Sequence, residues 1–179
     1  MAKISKIKIT KRDYADVLFY NDGYITDGNW MFKGDYIETD NELLNQYIKE
    51  GKPFRYNKSY GVDTGCELPK CKQLIPTSYD INNELIYSGL DMTDSDTSVM
   101  VNKNNKYFSY INSKYKGFLD KQNIFTPTLI QKSPLDAVQV VDGDEVIGLI
   151  MPKQFRGEDT PVELLQKLII DWNKQEGLC

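Results

Sequence analysis

Alternating and continuous apolar runs predict several β-strands, and the strongest pattern lies in residues 138–152, VQVVDGDEVIGLIMP. Two β-branched runs flank Asp142-Gly143, a dipeptide that supplies the positive φ angles of a tight hairpin turn. The second run, residues 146–151, is nearly continuous in apolar residues and ends at Pro152, which cannot donate to a sheet ladder. We therefore predict a hairpin whose second strand is buried near the centre of a sheet.

Shorter strands are predicted along the rest of the chain. The first, residues 1–10 (MAKISKIKIT), alternates Lys with Ile and places Ile4, Ile7 and Ile9 on its inner face. Residues 14–20 fit a short strand or a helical turn. Turn residues separate the other aromatic and β-branched runs. We predict further strands at residues 85–90, 99–101, 126–131 and 135–141, and short strands within residues 24–32, where residues 27–29 form a turn. Residue 107 begins another strand-like stretch.

Three segments have apolar residues at helical spacing. Residues 41–50 (NELLNQYIKE) follow Asp40, a plausible N-cap, and precede Gly51, which would end the helix. A short helix is suggested around residues 115–119. Residues 160–177 begin with an N-cap, a proline and a capping-box acid, and either pack on the sheet or serve for docking or dimerisation. The apolar stripe of this last helix consists of Leu164, Leu165, Leu168, Ile169 and Trp172.

These patterns predict an α+β fold with mainly antiparallel sheets and two or three helices. Residues 1–155 would form one domain, and residues 156–179 a C-terminal amphipathic helix. The 179 residues include an ordinary 40% of hydrophobic side chains, which is typical of a globular protein. No apolar run approaches the ~20 residues that span a bilayer, so we expect no membrane association. An odd number of cysteines suits a reducing cytoplasm.

The residue types restrict the chemistry. Histidine is absent, which excludes Ser–His and Cys–His nucleophile systems. Cys66 and Cys71 lack the further ligands of a zinc site unless Cys179 or carboxylates supply them, so we expect two ordinary thiols, no metal and no cofactor. Asp142 and Asp144 could perform acid–base work, but a hairpin turn would leave them exposed. We therefore expect a protein that is not an enzyme.

Charged residues offer two kinds of surface. Arg55 and Lys58 alternate with aromatic residues, a pattern that fits a stacking platform for single-stranded nucleic acid, although a half-exposed strand followed by a loop is favoured. Basic residues also cluster at the start, at Lys3, Lys6, Lys8, Lys11 and Arg12. The net charge of −4 is acidic. Candidate acidic surface residues are Asp91, Asp94, Asp96, Asp142, Asp144 and Glu145. The spacing of the first three resembles a calcium-binding loop, but the glycine and the terminal glutamate of such a loop are missing, so we expect no calcium site.

Several motifs resemble the bacterial DNA polymerase sliding clamp. In this chain, Ser133-Pro134 is followed by strands and then by residues 149–152 (LIMP). This arrangement resembles the end of a clamp domain, which often closes with a hydrophobic strand ending in Met-Pro. Residues 110–119 (YINSKYKGFL) are similar to the Lys-Tyr helix segment before those last strands. Residues 26–31 (TDGNWM) are similar to the Thr-Asp-Gly-His turn of the family. The composition, rich in Asn, Tyr and Lys, is also phage-like.

The resemblance implies a repeated half-domain, with halves of about 1–72 and 73–155 in which strands pack on a helix. It implies that Lys114, Lys116 and Lys121 contact phosphates through sequence-independent electrostatics. It also implies a pocket for polymerase peptides lined by Ile150, Met151 and Pro152. Lys153 and Gln154 stand where the family has Met and Arg, and Lys153 would alter the rim. The chain has room for one clamp domain, so a ring would need more copies than usual.

Two functions of different classes follow. The first is a non-enzymatic, clamp-like accessory protein that forms a homo-oligomer and contacts DNA or a DNA-processing protein such as a polymerase, with Trp172 available for docking. The second is an acidic phage-type inhibitor of a host nucleic-acid enzyme, such as a CRISPR nuclease, in which carboxylates imitate a phosphate track. Both would act in the cytoplasm of a bacterial host cell.

Overall fold

The computed structural model describes residues 6–92, 96–102, 104, 107–115 and 127–154. These residues contain the α-helix α1 (Glu42–Glu50), an α-helical turn at residues 113–115, and 3-10 helices at Gly34–Tyr36, Cys71–Leu74 and Ile81–Asn83. The strands are β1 (Ile7–Ile9), β2 (Val17–Asn21), β3 (Tyr24–Thr26), β4 (Trp30–Lys33), β5 (Ile37–Thr39), β6 (Phe54–Asn57), β7 (Gly61–Asp63), β8 (Glu84–Met92), β9 (Thr97–Asn102), β10 (Tyr107–Asn112), β11 (Thr128–Ile130), β12 (Val138–Asp142) and β13 (Glu145–Ile150).

The described strands form one large antiparallel sheet and one small parallel pair. The large sheet has eleven strands in the order β10-β9-β8-β11-β12-β13-β4-β3-β2-β6-β7, and β1 pairs in parallel with β5. The predicted mainly antiparallel pairing is therefore confirmed, and the described helices and sheets are compatible with the predicted α+β class. Ile7 and Ile9 are buried as predicted, whereas Ile4 lies outside the described residues. Residues 17–20 form strand β2, so the alternative of a helical turn is wrong there.

Strand β13 lies between β12 and β4, in the middle of the large sheet, as the apolar run predicted. The turn of the β12–β13 hairpin is displaced by one residue from the predicted position. Asp142 pairs with Glu145 as the last residue of β12, and the two turn residues are Gly143 and Asp144. Gly143 has φ +58°, so the glycine alone supplies the left-handed conformation that the turn requires.

Alternating side chains place two apolar layers on opposite faces of the large sheet. The main core contains Ile25, Trp30 and Phe32 of the first strands together with Val140 and Ile150 of the last hairpin. The other face carries two smaller buried clusters. Their buried members are Tyr24, Met31 and Cys71 in one, and Ile130, Val141 and Val146 in the other.

Residues 64–80, which we call the strap, cover the second face. Within the strap, Cys71 belongs to the cluster with Tyr24 and Met31, and Tyr79 packs against the cluster of Ile130, Val141 and Val146. Ile75 packs against both clusters. The strap therefore crosses strands that come from the first and from the last part of the chain.

Helix α1 packs its inner side chains against the main core. Its N-cap is Asn41, whose side chain accepts from the backbone N–H of Leu43 at 3.0 Å, and not the predicted Asp40. Asp40 instead accepts from the N–H of Lys11. Gly51 ends the helix with φ +66°, as predicted. Leu44 and Ile48 are buried, and the Tyr20 hydroxyl donates to the carbonyl of Ile48 at 3.2 Å.

Several predictions fall outside the described residues: the helix at residues 160–177 with Trp172, the remainder of the helix around residues 115–119, and the side chains of Lys116, Lys121 and Asp94. Within the described ranges, no helix combines the length and the apolarity needed to cross a membrane.

Candidate binding surface

The segment that follows β13 is held in place from two sides. The backbone N–H of Met151 donates to the carbonyl of Asn29 at 2.8 Å, and that of Lys153 donates to the carbonyl of Tyr110 at 2.7 Å. Tyr110 belongs to β10, the end strand of the large sheet, so the last strands curve round until the end of β13 meets it. We call residues 149–153 the closing segment.

The side chains of the closing segment alternate between the core and the surface. Ile150 and Pro152 are buried, and Met151 is 47% exposed. The Lys153 amine donates to the Thr97 hydroxyl at 3.1 Å and lies 3.5 Å from the carbonyl of Asp96. Of the three residues expected to line a peptide pocket, Met151 is therefore the one that offers a large exposed apolar side chain.

A buried carboxylate positions the partner of Met151. Asp27 is 9% exposed and accepts hydrogen bonds from the N–H groups of Asn29 at 2.8 Å, Trp30 at 3.2 Å and Ala15 at 3.0 Å. The Thr26 hydroxyl donates to the carbonyl of Trp30. These bonds fix the turn between β3 and β4, and with it the carbonyl that receives the Met151 N–H.

Three distant motifs therefore meet at the closing segment. Residues 26–31 contact the 149–152 motif through Asn29 and Met151, and residues 110–119 contact the next residue, Lys153, through Tyr110. Tyr115, in the second motif, is buried, and its hydroxyl has a pKa raised by that burial and by the charge of Asp27. The sequence pointed to each motif separately but gave no signal that Asp27 is a buried hydrogen-bonding centre.

The lysines expected to contact phosphate occupy different situations. Lys114 follows β10, and its amine lies 5.1 Å from the centroid of the Tyr115 ring. Lys58 donates to the carbonyl of Tyr14 at 2.7 Å and lies 4.8 Å from the centroid of that ring, so its amine is held within the protein. Arg55, on the outer face of β6, is exposed.

The aromatic residues around Arg55 do not form a shared stacking surface. Phe54 and Tyr56 are buried in the main core, whereas Tyr60, at the turn before β7, is 90% exposed. This arrangement matches the favoured expectation of a half-exposed strand. Of the three aromatic residues in the suggested stacking platform, Tyr60 is therefore the one whose ring is exposed.

The acidic residues lie in two described places. At the β12–β13 turn, Asp142 accepts from the Tyr36 hydroxyl at 2.8 Å, Glu145 forms an ion pair with Lys33, and Asp144 is exposed. Burial, followed by the Asp142 hydrogen bond and the nearby charges of Asp142, Glu145 and Asp35, raises the pKa of Tyr36 to about 12. Near β9, Asp91 accepts from the Ser98 hydroxyl at 2.6 Å, and Asp96 is exposed with φ +48°.

Two thiols, Cys66 and Cys71, lie apart from these surfaces, in the strap, and Cys179 lies outside the described residues. Cys71 is fully buried and Cys66 is half-buried, and both are free. Burial, together with the charge of Asp22, raises the pKa of the Cys71 thiol. In the described part of the chain, no group of three or more Cys, Asp or Glu side chains is placed to hold a metal ion.

No known protein family, no curated protein and no solved structure matches the chain. The resemblance to sliding clamps therefore depends on the three motifs themselves.

Proposed function

We propose that this chain is a non-enzymatic binding protein of the sliding-clamp type, which assembles into a homo-oligomer and contacts DNA or a DNA-processing protein. The observation that carries the proposal is that residues 26–31 bond to the 149–152 motif at Met151, and residues 110–119 bond to Lys153 directly after it. Each of these motifs resembles a stretch of the clamp family. Because the three motifs also lie together in the fold, their resemblance to clamps is less well explained by chance. On this proposal the halves 1–72 and 73–155 correspond to the repeated half-domains of a clamp.

Met151 is the proposed anchor for a partner. Its side chain is exposed, while the backbone beneath it is fixed by the bonds to Asn29 and Tyr110. A large apolar side chain on a rigid backbone loses little conformational entropy when it is buried, which is typical of residues that dominate an interface. Trp172, in the helix predicted for residues 160–177, is the proposed second contact with the partner or with another copy.

The proposed DNA contacts are electrostatic. Lys6, Lys8, Lys11 and Arg12, in β1 and just beside it, are all exposed, and Arg55 is exposed on β6. Lys114, Lys116 and Lys121 are the lysines that the clamp resemblance assigns to phosphate. A protein that slides on DNA needs such sequence-independent contacts, and its affinity then falls steeply with salt. The proposed setting is the cytoplasm of a bacterial host cell infected by a phage.

The test compares two apolar side chains of equal exposure. Met151→Asp removes the proposed anchor, and Leu43→Asp is the control, since Leu43 is 46% exposed on α1 and Met151 is 47% exposed. We expect Met151→Asp to weaken assembly or retention of a polymerase peptide at least tenfold, while Leu43→Asp leaves both unchanged. Equal effects of the two variants, at equal folded fractions, would remove the support for Met151.

A second candidate function is inhibition of a host nucleic-acid enzyme such as a CRISPR nuclease. It is favoured by the carboxylates around Tyr36, where Asp35, Asp142 and Glu145 act on one hydroxyl and Asp144 is exposed beside them. Such a group could imitate phosphates. The test is whether the protein captures a purified CRISPR nuclease. Capture by the parent protein that is abolished by Asp144→Lys would favour inhibition over the clamp-type function. Failure to bind any such nuclease would leave inhibition without support.

A further inference from the structure

We propose that the strap, residues 64–80, is a detachable cover that opens as a unit while the sheet beneath it stays folded. Its release uncovers an apolar strip that extends across strands from both ends of the chain. The members of this strip are Tyr24, Met31, Ile130, Val141 and Val146.

The attachment of the strap to the sheet depends on side chains. The backbone–backbone hydrogen bonds of the strap are local: they run from the N–H of Cys71 to Pro69 O, from that of Ile75 to Lys72 O, and from that of Asn83 to Asp80 O. Three further bonds reach residues of the sheet: the N–H of Gly65 donates to the side chain of Asp63 at 2.8 Å, the Asn21 amide donates to Pro69 O at 2.9 Å, and the Tyr79 hydroxyl donates to Gly143 O at 3.1 Å. All three lie at exposed positions, where water replaces them once the strap opens.

The apolar contacts of the strap are also few. Cys71 is its one fully buried residue, and Leu74 is 61% exposed. Ile75 and Tyr79 are half-buried against the strip. Segments with few buried contacts and no ladder of backbone bonds open with a free energy well below that of global unfolding. The strands below are joined on both sides to neighbouring strands, so they do not depend on the strap for their pairing.

Cys71 reports the opening directly. Its side chain is inaccessible in the closed strap, so a thiol reagent reacts with it only after the strap or the whole protein opens. The experiment uses the full chain with Cys66→Ser and Cys179→Ser, and measures the rate at which Ellman's reagent labels Cys71 in increasing urea. We expect the opening constant to exceed that of global unfolding at least a hundredfold and to depend weakly on urea.

Two further variants separate opening of the strap from global unfolding. Tyr79→Phe keeps the ring but removes the bond to Gly143 O, and should raise the labelling rate about three- to tenfold. Ile48→Val, in α1, should raise the rate of labelling through global unfolding about fivefold while leaving labelling through the open strap unchanged. The proposal is overturned if Ile48→Val accelerates labelling as much as it accelerates global unfolding, or if Tyr79→Phe has no effect.

Discussion

Gly148 of β13 lies directly opposite Phe32 of β4, so close that the sheet admits no side chain there. A Cβ placed on Gly148 would lie 2.7 Å from Phe32 Cε1 and 2.5 Å from the carbonyl oxygen of Met31. This pairing joins the last hairpin to the first strands. The register of β12 against β13 shifts between Val140 and Val141, which turns Gly148 and Ile150 onto the face of the main core.

Gly148→Ala is expected to lower the free energy of unfolding by about 3 kcal/mol, because a backbone carbonyl cannot move aside as a flexible side chain can. Urea unfolding followed by fluorescence measures the loss. Gly65→Ala is the matched control, since the added Cβ would meet Asp63 Oδ1 at an ordinary 3.6 Å. Equal stability of the two variants would mean that the β4–β13 contact is looser than described here.

Asp27→Ala should cost about 3 kcal/mol of unfolding free energy, because three backbone N–H groups lose a charged acceptor at a buried position. Asp27→Asn keeps one acceptor oxygen and should cost about half as much. Urea titration gives both values. Asp144→Ala, at an exposed turn position, is the control, and its free energy of unfolding should lie within about 0.5 kcal/mol of that of the parent protein. An unchanged stability of Asp27→Ala would contradict the role given to this carboxylate.

The protein should lose stability as pH rises from about 10 to about 12. Tyr36 keeps its proton up to about pH 12 in the folded state, whereas the unfolded tyrosine releases it near pH 10. The unfolded state therefore binds fewer protons in this window, and the contribution present below pH 10 is lost by about pH 12. Burial also raises the pKa of Tyr14, Tyr20, Tyr107, Tyr110 and Tyr115.

Tyr36→Phe should make the fall in unfolding free energy with pH less steep. The change in slope should be smaller than about 1.4 kcal/mol per pH unit, which is the value for one whole proton. Urea unfolding at pH 9, 10 and 11 measures the slope. Tyr60→Phe serves as the control, since Tyr60 is 90% exposed. A slope equal to that of the parent protein would show that Tyr36 titrates alike in both states.

Ile150→Asp and Met151→Asp should separate folding from binding at adjacent positions. Ile150 is fully buried beside Trp30 and Val138, so a carboxylate there should abolish the cooperative unfolding transition. Met151→Asp should leave the free energy of unfolding within about 0.5 kcal/mol of the parent protein, because its side chain points outward. Far-UV circular dichroism and urea titration check both; a large stability loss in Met151→Asp would place Met151 in the core.

The elements with strong local signals were predictable from the sequence. The last hairpin, α1 with its stop at Gly51, and the strand at residues 7–9 all have apolar spacing or turn residues that leave few alternatives. Two errors in these elements were displacements of one residue, at the Asn41 N-cap and at the Gly143–Asp144 turn. Neighbouring polar residues compete for such positions, and the tertiary contacts decide between them.

Long-range contacts could not be predicted in the same way. Nothing in residues 26–31 or 110–119 indicates that both bond to the closing segment, because strand order depends on the whole topology. The strap was not predicted from the sequence, since its few apolar residues have no periodicity. The burial of Phe54 and Tyr56, which removes the stacking platform, likewise follows from which face of β6 meets the core.

The proposed clamp-type assembly is tested most directly by the oligomeric mass of the full chain, measured by light scattering alone and with duplex DNA. A clamp-type protein should be a symmetric oligomer that retains DNA at low salt and releases it as the salt concentration rises. A strict monomer that retains no DNA at low salt would contradict this assembly.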